Sequence, residues 1–181
     1  MVAVGLPHFR TQCEGIKMKL EIKNLKTCEF ASEETLCFEA TLYIDGESRI
    51  IVSNQGHGGC DDHRPSKKSI SYKEMNKDLE KLYAYCKSLP PRQTDFGEVE
   101  VSLDILVSEL VEKYEITKEL KKDLRKRICF VKDNKFYTLK EKPTSQMLKV
   151  AKTSPALEGY TILNALSFDE AYSLYKSALY S

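Results

Sequence analysis

Segment 53–63 brings together side chains that commonly ligate metals or attack substrates. Within it, His57, Cys60 and His63 supply imidazole and thiol groups at short spacing. Zinc accepts histidine nitrogen and cysteine sulfur in a tetrahedral set, so these residues could provide three of its four ligands. Structural zinc sites usually draw two closely spaced pairs from separate segments, however, and the third histidine of the chain, His8, stands alone. Zinc is therefore an alternative, and we expect no cofactor.

The same segment supports two other interpretations. A cysteine beside a histidine can be held as a reactive thiolate, which would make Cys60 the nucleophile of a small enzyme. The glycines Gly56, Gly58 and Gly59 match neither of the phosphate-binding patterns GxGxxG and GxxxxGK[ST]. Glycine tolerates positive φ, and polar side chains in turns bond to neighbouring backbone. The sequence therefore favours a glycine-rich loop without a catalytic role.

A second candidate site is a predicted helix over 117–127, in which basic residues outnumber acidic ones. Its cations are Lys118, Lys121, Lys122, Arg125, Lys126 and Arg127. Because Leu120 and Leu124 are expected to face inward, the first four cations share the solvent side, where they could bind DNA or RNA phosphates or an acidic partner. The alternative is a solvated helix whose C-terminal cations suit the helix dipole. No base-reading motif accompanies it, so sequence-specific recognition is not expected.

The remaining polar and aromatic residues give little support for catalysis. Glu33–Glu34 and Asp61–Asp62 are adjacent in sequence, so each pair projects in different directions and forms no acid–base pair by itself. The tyrosines follow the apolar pattern, as Tyr43, Tyr83 and Tyr175 illustrate. We expect them to be core residues rather than a platform for stacking bases.

Composition is that of a globular protein. The 181 residues are 41% apolar and 30% charged, and 28 basic against 27 acidic residues give a net charge of +1. No apolar run approaches the roughly 18 residues of a membrane span, so we expect a cytoplasmic protein without a membrane partner. The six cysteines are scattered and contain no CxxC pair. They are expected to be reduced, with Cys37, Cys86 and Cys129 packed as small apolar residues.

Period-two alternation predicts strands in the first third of the chain. It begins near Met18, which suggests that 1–17 form a flexible arm or a start extension. Alternation over 36–44, an Asp45–Gly46 turn and a run over 49–53 predict a hairpin, followed by a loop over 54–69.

Helical spacing dominates the next part of the chain. A capping box of Ser71 and Glu74 opens a helix that Pro90–Pro91 stops. Ser102 is expected to cap a second helix, with Leu103, Leu106, Val107, Leu110 and Tyr114 inward, and Thr117 a third.

The last third returns to strands and then to helix. A second hairpin is predicted over 128–139, a short helix around 146–152, and a final helix from a capping box of Ser167 and Glu170. The fold class is thus α+β: an N-terminal antiparallel sheet, central helices, a short hairpin and a C-terminal helix, in a single domain over 18–181.

Several segments resemble a family of small phage and prophage proteins that has no assigned activity, so the resemblance implies no active-site residue. They are KLEIKNLK at 19–26, EFASEET at 29–35, CFEA at 37–40 and SNQGHGGC at 53–60, with YTILN at 160–164 and FDEA at 168–171 near the end. A protein of this size and setting is similar to anti-CRISPR inhibitors of type II effector nucleases. The resemblance implies a non-enzymatic protein that binds and inhibits a defence nuclease in the cytoplasm of a bacterial host. The alternatives are a metal- or cysteine-dependent enzyme built on 54–63 and a nucleic-acid-binding accessory protein that uses 117–127.

Overall fold

The computed structural model describes residues 18–95 and 97–180. The chain forms two compact units that divide between Val111 and Glu112. The predicted arm over 1–17 lies outside the described residues, and the single domain over 18–181 stays a prediction. Antiparallel sheets and helices follow one another in separate blocks, which confirms the α+β class.

A four-stranded antiparallel sheet forms the first part of the first unit. Its strands are β1 (Leu20–Thr27), β2 (Phe38–Ile44), β3 (Glu47–Asn54) and β4 (Asp62–Pro65), and they lie side by side in that order. The predicted hairpin is confirmed by the β2–β3 pairing. Asp45 and Gly46 form its turn at φ 51° and 88°, values that Asp tolerates and Gly adopts freely. Alternation buries Phe38, Ala40 and Leu42 on one face.

The first helix, α1 (Tyr72–Ser88), lies beside β3 and β4. Its predicted capping box is confirmed, because the Ser71 hydroxyl accepts from the Glu74 amide and the Glu74 carboxylate accepts from the Ser71 amide. An ion pair of 2.7 Å joins Arg49 of β3 to Asp78 of α1, and Asp78 is only 7% exposed. A hairpin of β5 (Arg92–Thr94) and β6 (Gly97–Val99), which the sequence did not predict, follows before α2 (Leu103–Lys126).

The second unit is built on a three-stranded sheet between helices. After the end of α2, its elements are β7 (Ile128–Lys132), β8 (Lys135–Leu139), α3 (Ser145–Thr153), β9 (Thr161–Ile162) and α4 (Phe168–Leu179). The strands lie in the order β8-β7-β9, all antiparallel. The predicted hairpin, short helix and Ser167–Glu170 capping box are confirmed.

Both faces of β7 are covered, which explains why its side chains are buried without alternation. Cys129 and Val131 pack in one cluster with Leu120 of α2 and Tyr175 of α4. On the other face, Phe130 packs in a second cluster with Ile128, Ala151 and Ile162. The central strand therefore carries the apolar contacts of two layers.

Two predictions made from the sequence, one about α2 and one about the segment after β3, were wrong. The helices predicted from Ser102 and from Thr117 are one continuous helix, α2. Thr117 is an interior residue, and a threonine inside a helix costs only about 0.7 kcal/mol relative to alanine. The loop predicted over 54–69 contains β4, which pairs through its backbone with β3 although its residues have no apolar pattern.

The structure also settles several buried positions. Cys86 and Cys129 are buried as predicted, whereas Cys37 is half-buried. Tyr175 is buried, but the expectation that Tyr83 belongs to the core was wrong, because it is 47% exposed. No helix of 18–95 or 97–180 is long and apolar enough to cross a bilayer.

Candidate nucleic-acid interface

The glycine-rich loop after β3 is held by hydrogen bonds to the segment before β2. The Gly56 carbonyl accepts from the amides of Glu33 and Glu34, both at 2.9 Å, and the Asn54 side chain accepts from the Gly56 amide. Gly56 has φ 89°, and a Cβ there would lie 2.0 Å from the Ala31 carbonyl oxygen. The expectation of positive φ at Gly56, Gly58 and Gly59 is confirmed.

The three proposed metal ligands of this loop lie in different environments. The His57 side chain is exposed and its Nδ1 lies 3.1 Å from Glu33 Oε2, while Cys60 is an exposed free thiol. His63 lies in β4 opposite Val52 and is half-buried. Within the described part of the chain, no three His, Cys, Asp or Glu side chains form a group that could hold a metal ion. The structure does not bring His57, Cys60 and His63 together.

His63 instead has carboxylates as neighbours. Burial lowers the pKa of His63, and the negative charges of Asp61, Asp104 and Asp62 act against that shift. Burial also raises the pKa of Asp61, although Asn54 donates to its Oδ1 at 3.0 Å. Among residues 18–95 and 97–180, the buried atoms Asp61 Oδ2 and His63 Nε2 have no hydrogen-bond partner. No hydrogen bond between Asp61 and His63 is found in the described part of the chain.

Five of the six basic residues predicted over 117–127 lie in the second half of α2, and Arg127 follows directly after the end of this helix. All six are exposed, while Leu120 is fully buried and Leu124 packs at the edge of the same cluster. Successive helical residues advance by about 100°, so Lys118, Lys121, Lys122 and Arg125 fall within an arc of roughly 100°. We call these four residues the basic face. Lys126 and Arg127 lie outside that arc, and Arg127 is 3.9 Å from Asp123.

The basic face lines a shallow groove of about 480 Å³ together with Tyr114 and Thr117. The sequence placed Tyr114 inward, but the structure shows it half-buried beside the cations. Its position one helical turn before Lys118 is the signal that could have identified it. The Lys121 ammonium lies 5.1 Å from the centre of the Phe168 ring, which fixes one cation by a cation–π contact.

The four cations repel one another along the helix. Lys118 with Lys121 or Lys122, and Arg125 with Lys121 or Lys122, are four pairs at i,i+3 or i,i+4 spacing. Each like-charge pair costs about 0.2–0.5 kcal/mol, or about 1–2 kcal/mol for the four, and the opposite-charge pairs Glu115–Lys118 and Glu119–Lys122 at i,i+3 spacing offset only part of this cost. A bound polyanion would relieve this repulsion.

Charge is distributed unevenly between the two units. Residues 112–181 carry 14 basic and 9 acidic residues, a net charge of +5, whereas residues 1–111 carry 14 basic and 18 acidic residues, a net charge of −4. The net charge of +1 for the whole chain therefore conceals a basic second unit, and a local field of this sign attracts nucleic-acid phosphates.

No family model, no curated protein and no solved structure matches this chain.

Proposed function

We propose that this protein is a non-enzymatic binding protein that holds nucleic acid by its phosphate backbone through the basic face of α2. The observation that carries the proposal is the set of four exposed cations on one arc of the helix, which line one groove. In a helix whose exposed side faced only water, the mutual repulsion of these cations would lower stability with only partial compensation. Phosphates would offset it.

The geometry supports backbone binding rather than base reading. From Lys118 to Arg125 the helix rises about 10 Å, which covers roughly three phosphate-to-phosphate steps, and so about four phosphates, along one strand at 3.4 Å of duplex axis per step. Three of the four cations are lysines, which act as point charges and lack the fork geometry that arginine uses to read guanine. Binding should therefore depend strongly on salt and weakly on sequence.

Binding of a fluorescent 20-base-pair duplex at several salt concentrations tests the proposal. If all four cations contact phosphates, log K should fall with log salt with a slope of about −3.6, and two unrelated duplex sequences should bind alike. An affinity that does not change with salt concentration would show that the cations do not contact phosphates.

We also propose, from the resemblance to phage proteins, that this face serves inhibition of a host defence nuclease in the bacterial cytoplasm. The exposed basic face favours a mechanism in which the protein competes for the nucleic acid that a type II effector must engage. Cleavage of a target duplex by a purified effector should then slow when the protein is added. Lys118→Gln with Lys122→Gln should restore cleavage. Undiminished cleavage across several effectors would contradict the inhibitory role, and duplex binding would remain to be judged separately.

A further inference from the structure

One face of the three-stranded sheet presents an aromatic ring and two cations side by side. The β7–β8 register pairs Phe130 with Tyr137 and Lys132 with Lys135. Lys135 and Tyr137 are two residues apart on β8, so their side chains leave the same face about 7 Å from one another. Ile162 of β9 pairs with Phe130 on its other side.

Tyr137 is held in place by other rings. Its ring centre lies 5.5 Å from that of Tyr160, with 77° between the ring planes, and Tyr160 lies 6.2 Å from Phe130 at 78°. Phe130 is only 2% exposed and anchors the group, whereas Tyr137 is 42% exposed. Edge-to-face contacts of this kind fix the orientation of the exposed ring. A flat ligand that stacks on Tyr137 would not have to immobilise it first.

The two lysines beside this ring repel each other. Like charges directly opposite on an antiparallel pair are destabilising, and Lys132 and Lys135 occupy such positions. The Lys132 ammonium lies 4.7 Å from the centre of the Tyr160 ring and donates to the Glu158 carbonyl at 3.5 Å. Lys135 is exposed, and neither ammonium lies within 4.0 Å of a carboxylate in the described part of the chain. An anion placed near both would offset the repulsion.

We propose that Lys132, Lys135, Tyr137 and Tyr160 form a binding site for single-stranded nucleic acid. One base stacks on the exposed face of Tyr137, and an adjacent phosphate lies near the ammonium groups of Lys132 and Lys135. Stacking on an aromatic side chain accepts any base, because every base has a flat π face. A base inside a duplex is already stacked and cannot use this ring. We call the four residues the tyrosine platform.

The tyrosine platform goes beyond the function proposed above, since it shares no residue with the basic face and takes a different form of nucleic acid. The sequence pattern counted against it, because the tyrosines were expected to be core residues. Tyr160 joins the platform through β9, a strand of only two residues that lies more than 20 positions after β8.

The test compares a fluorescent ten-nucleotide oligo(dT) with an abasic strand of the same length and charge. Tyr137→Leu keeps apolar bulk on the sheet but removes the flat ring, and Tyr137→Phe keeps the ring. We expect Tyr137→Leu to weaken oligo(dT) binding about tenfold, within the range measured for loss of one stacked base, and Tyr137→Phe to bind within about twofold of wild type. Binding of the abasic strand should not change in either variant.

Two further variants keep the result interpretable. Tyr72→Ala removes a tyrosine that is 66% exposed on α1 and should leave oligo(dT) binding unchanged. Lys135→Gln should reduce the salt slope for oligo(dT) by about 0.7. Equal affinity of wild type for oligo(dT) and the abasic strand, or equal losses in Tyr137→Leu and Tyr72→Ala, would overturn the platform. Neither result depends on Lys118 or Lys122, whose loss affects duplex binding.

Discussion

Neutralising Lys118 and Lys122 together removes half of the basic face without removing a packed side chain. Both residues are exposed, and glutamine has nearly the helix propensity of lysine, so Lys118→Gln with Lys122→Gln should leave the free energy of unfolding within about 0.5 kcal/mol of wild type. The variant removes three of the four like-charge pairs but also both opposite-charge pairs described above, so these two electrostatic changes largely cancel in the free energy of unfolding. Any loss of duplex binding therefore comes from lost phosphate contacts.

The size of the loss follows from counterion release. Each phosphate contact contributes about 0.9 to the slope of log K against log salt, so the slope should change from about −3.6 to about −1.8. Taking the contribution of counterion release as zero at 1 M salt, two lost contacts reduce the affinity at 0.1 M salt by about 60-fold. Fluorescence anisotropy with a 20-base-pair duplex measures both quantities in one titration series.

The matched control is Lys73→Gln with Lys77→Gln, which removes two exposed lysines at the same i,i+4 spacing on α1. It changes the total charge by the same amount but leaves the basic face intact. We expect less than a threefold change in affinity, because neither lysine belongs to the basic face that is proposed to contact the phosphates. If both pairs weaken binding equally, the effect is one of net charge, and the reasoning from the basic face is refuted.

Two other predictions concern the second unit. The Asn164 side chain accepts a hydrogen bond from the Cys129 amide at 2.7 Å and donates to the carbonyls of Leu124 at 2.9 Å and Arg127 at 3.0 Å. Asn164→Ala should therefore lower the free energy of unfolding by about 3 kcal/mol. Urea denaturation measures this change, and a loss below about 1 kcal/mol would contradict the prediction. Burial raises the pKa of Cys129 to about 11. The contribution of the protonated thiol to the free energy of unfolding is therefore complete below pH 9 and is lost as the pH rises toward 11. At pH 8.5 iodoacetamide should therefore modify the exposed Cys60 in the native protein and leave Cys129 unmodified, as peptide mass spectrometry would show; equal modification of both thiols would show that Cys129 is accessible.

Local signals in the sequence were sufficient for most elements of the fold. The Asp45–Gly46 turn between two alternating runs predicted β2 and β3, and the capping boxes at Ser71 and Ser167 predicted where α1 and α4 begin. Each of these signals acts within a few residues, because it depends on φ, on side-chain alternation or on a bond from a cap to the next helical turn.

Elements that depend on distant partners were not predictable in this way. The strand β4 has no apolar alternation and pairs with β3 through its backbone, while β9 pairs with β7 across some 30 residues of chain. Thr117 has the right side chain for a cap, but the apolar contacts of Ile116 and Leu120 carry the helix through it. Contacts between residues far apart in sequence, rather than local preference, therefore determined the structure of these segments.

The two candidate sites also differ in whether they could be predicted from the sequence. Lys118, Lys121, Lys122 and Arg125 follow from helical spacing around a buried Leu120, so their shared exposed face could be predicted. The tyrosine platform could not be predicted, because Tyr160 reaches Tyr137 only through the pairing of β9.

Lysine acetylation in the presence and absence of duplex DNA tests most directly whether the basic face is the binding surface. The protein is treated briefly with acetic anhydride at low salt, and peptide mass spectrometry gives the extent of acetylation at each lysine. We predict that the duplex slows acetylation of Lys118, Lys121 and Lys122 and leaves acetylation of Lys73 and Lys77 unchanged. Equal acetylation of Lys118, Lys121 and Lys122 with and without bound duplex would contradict it.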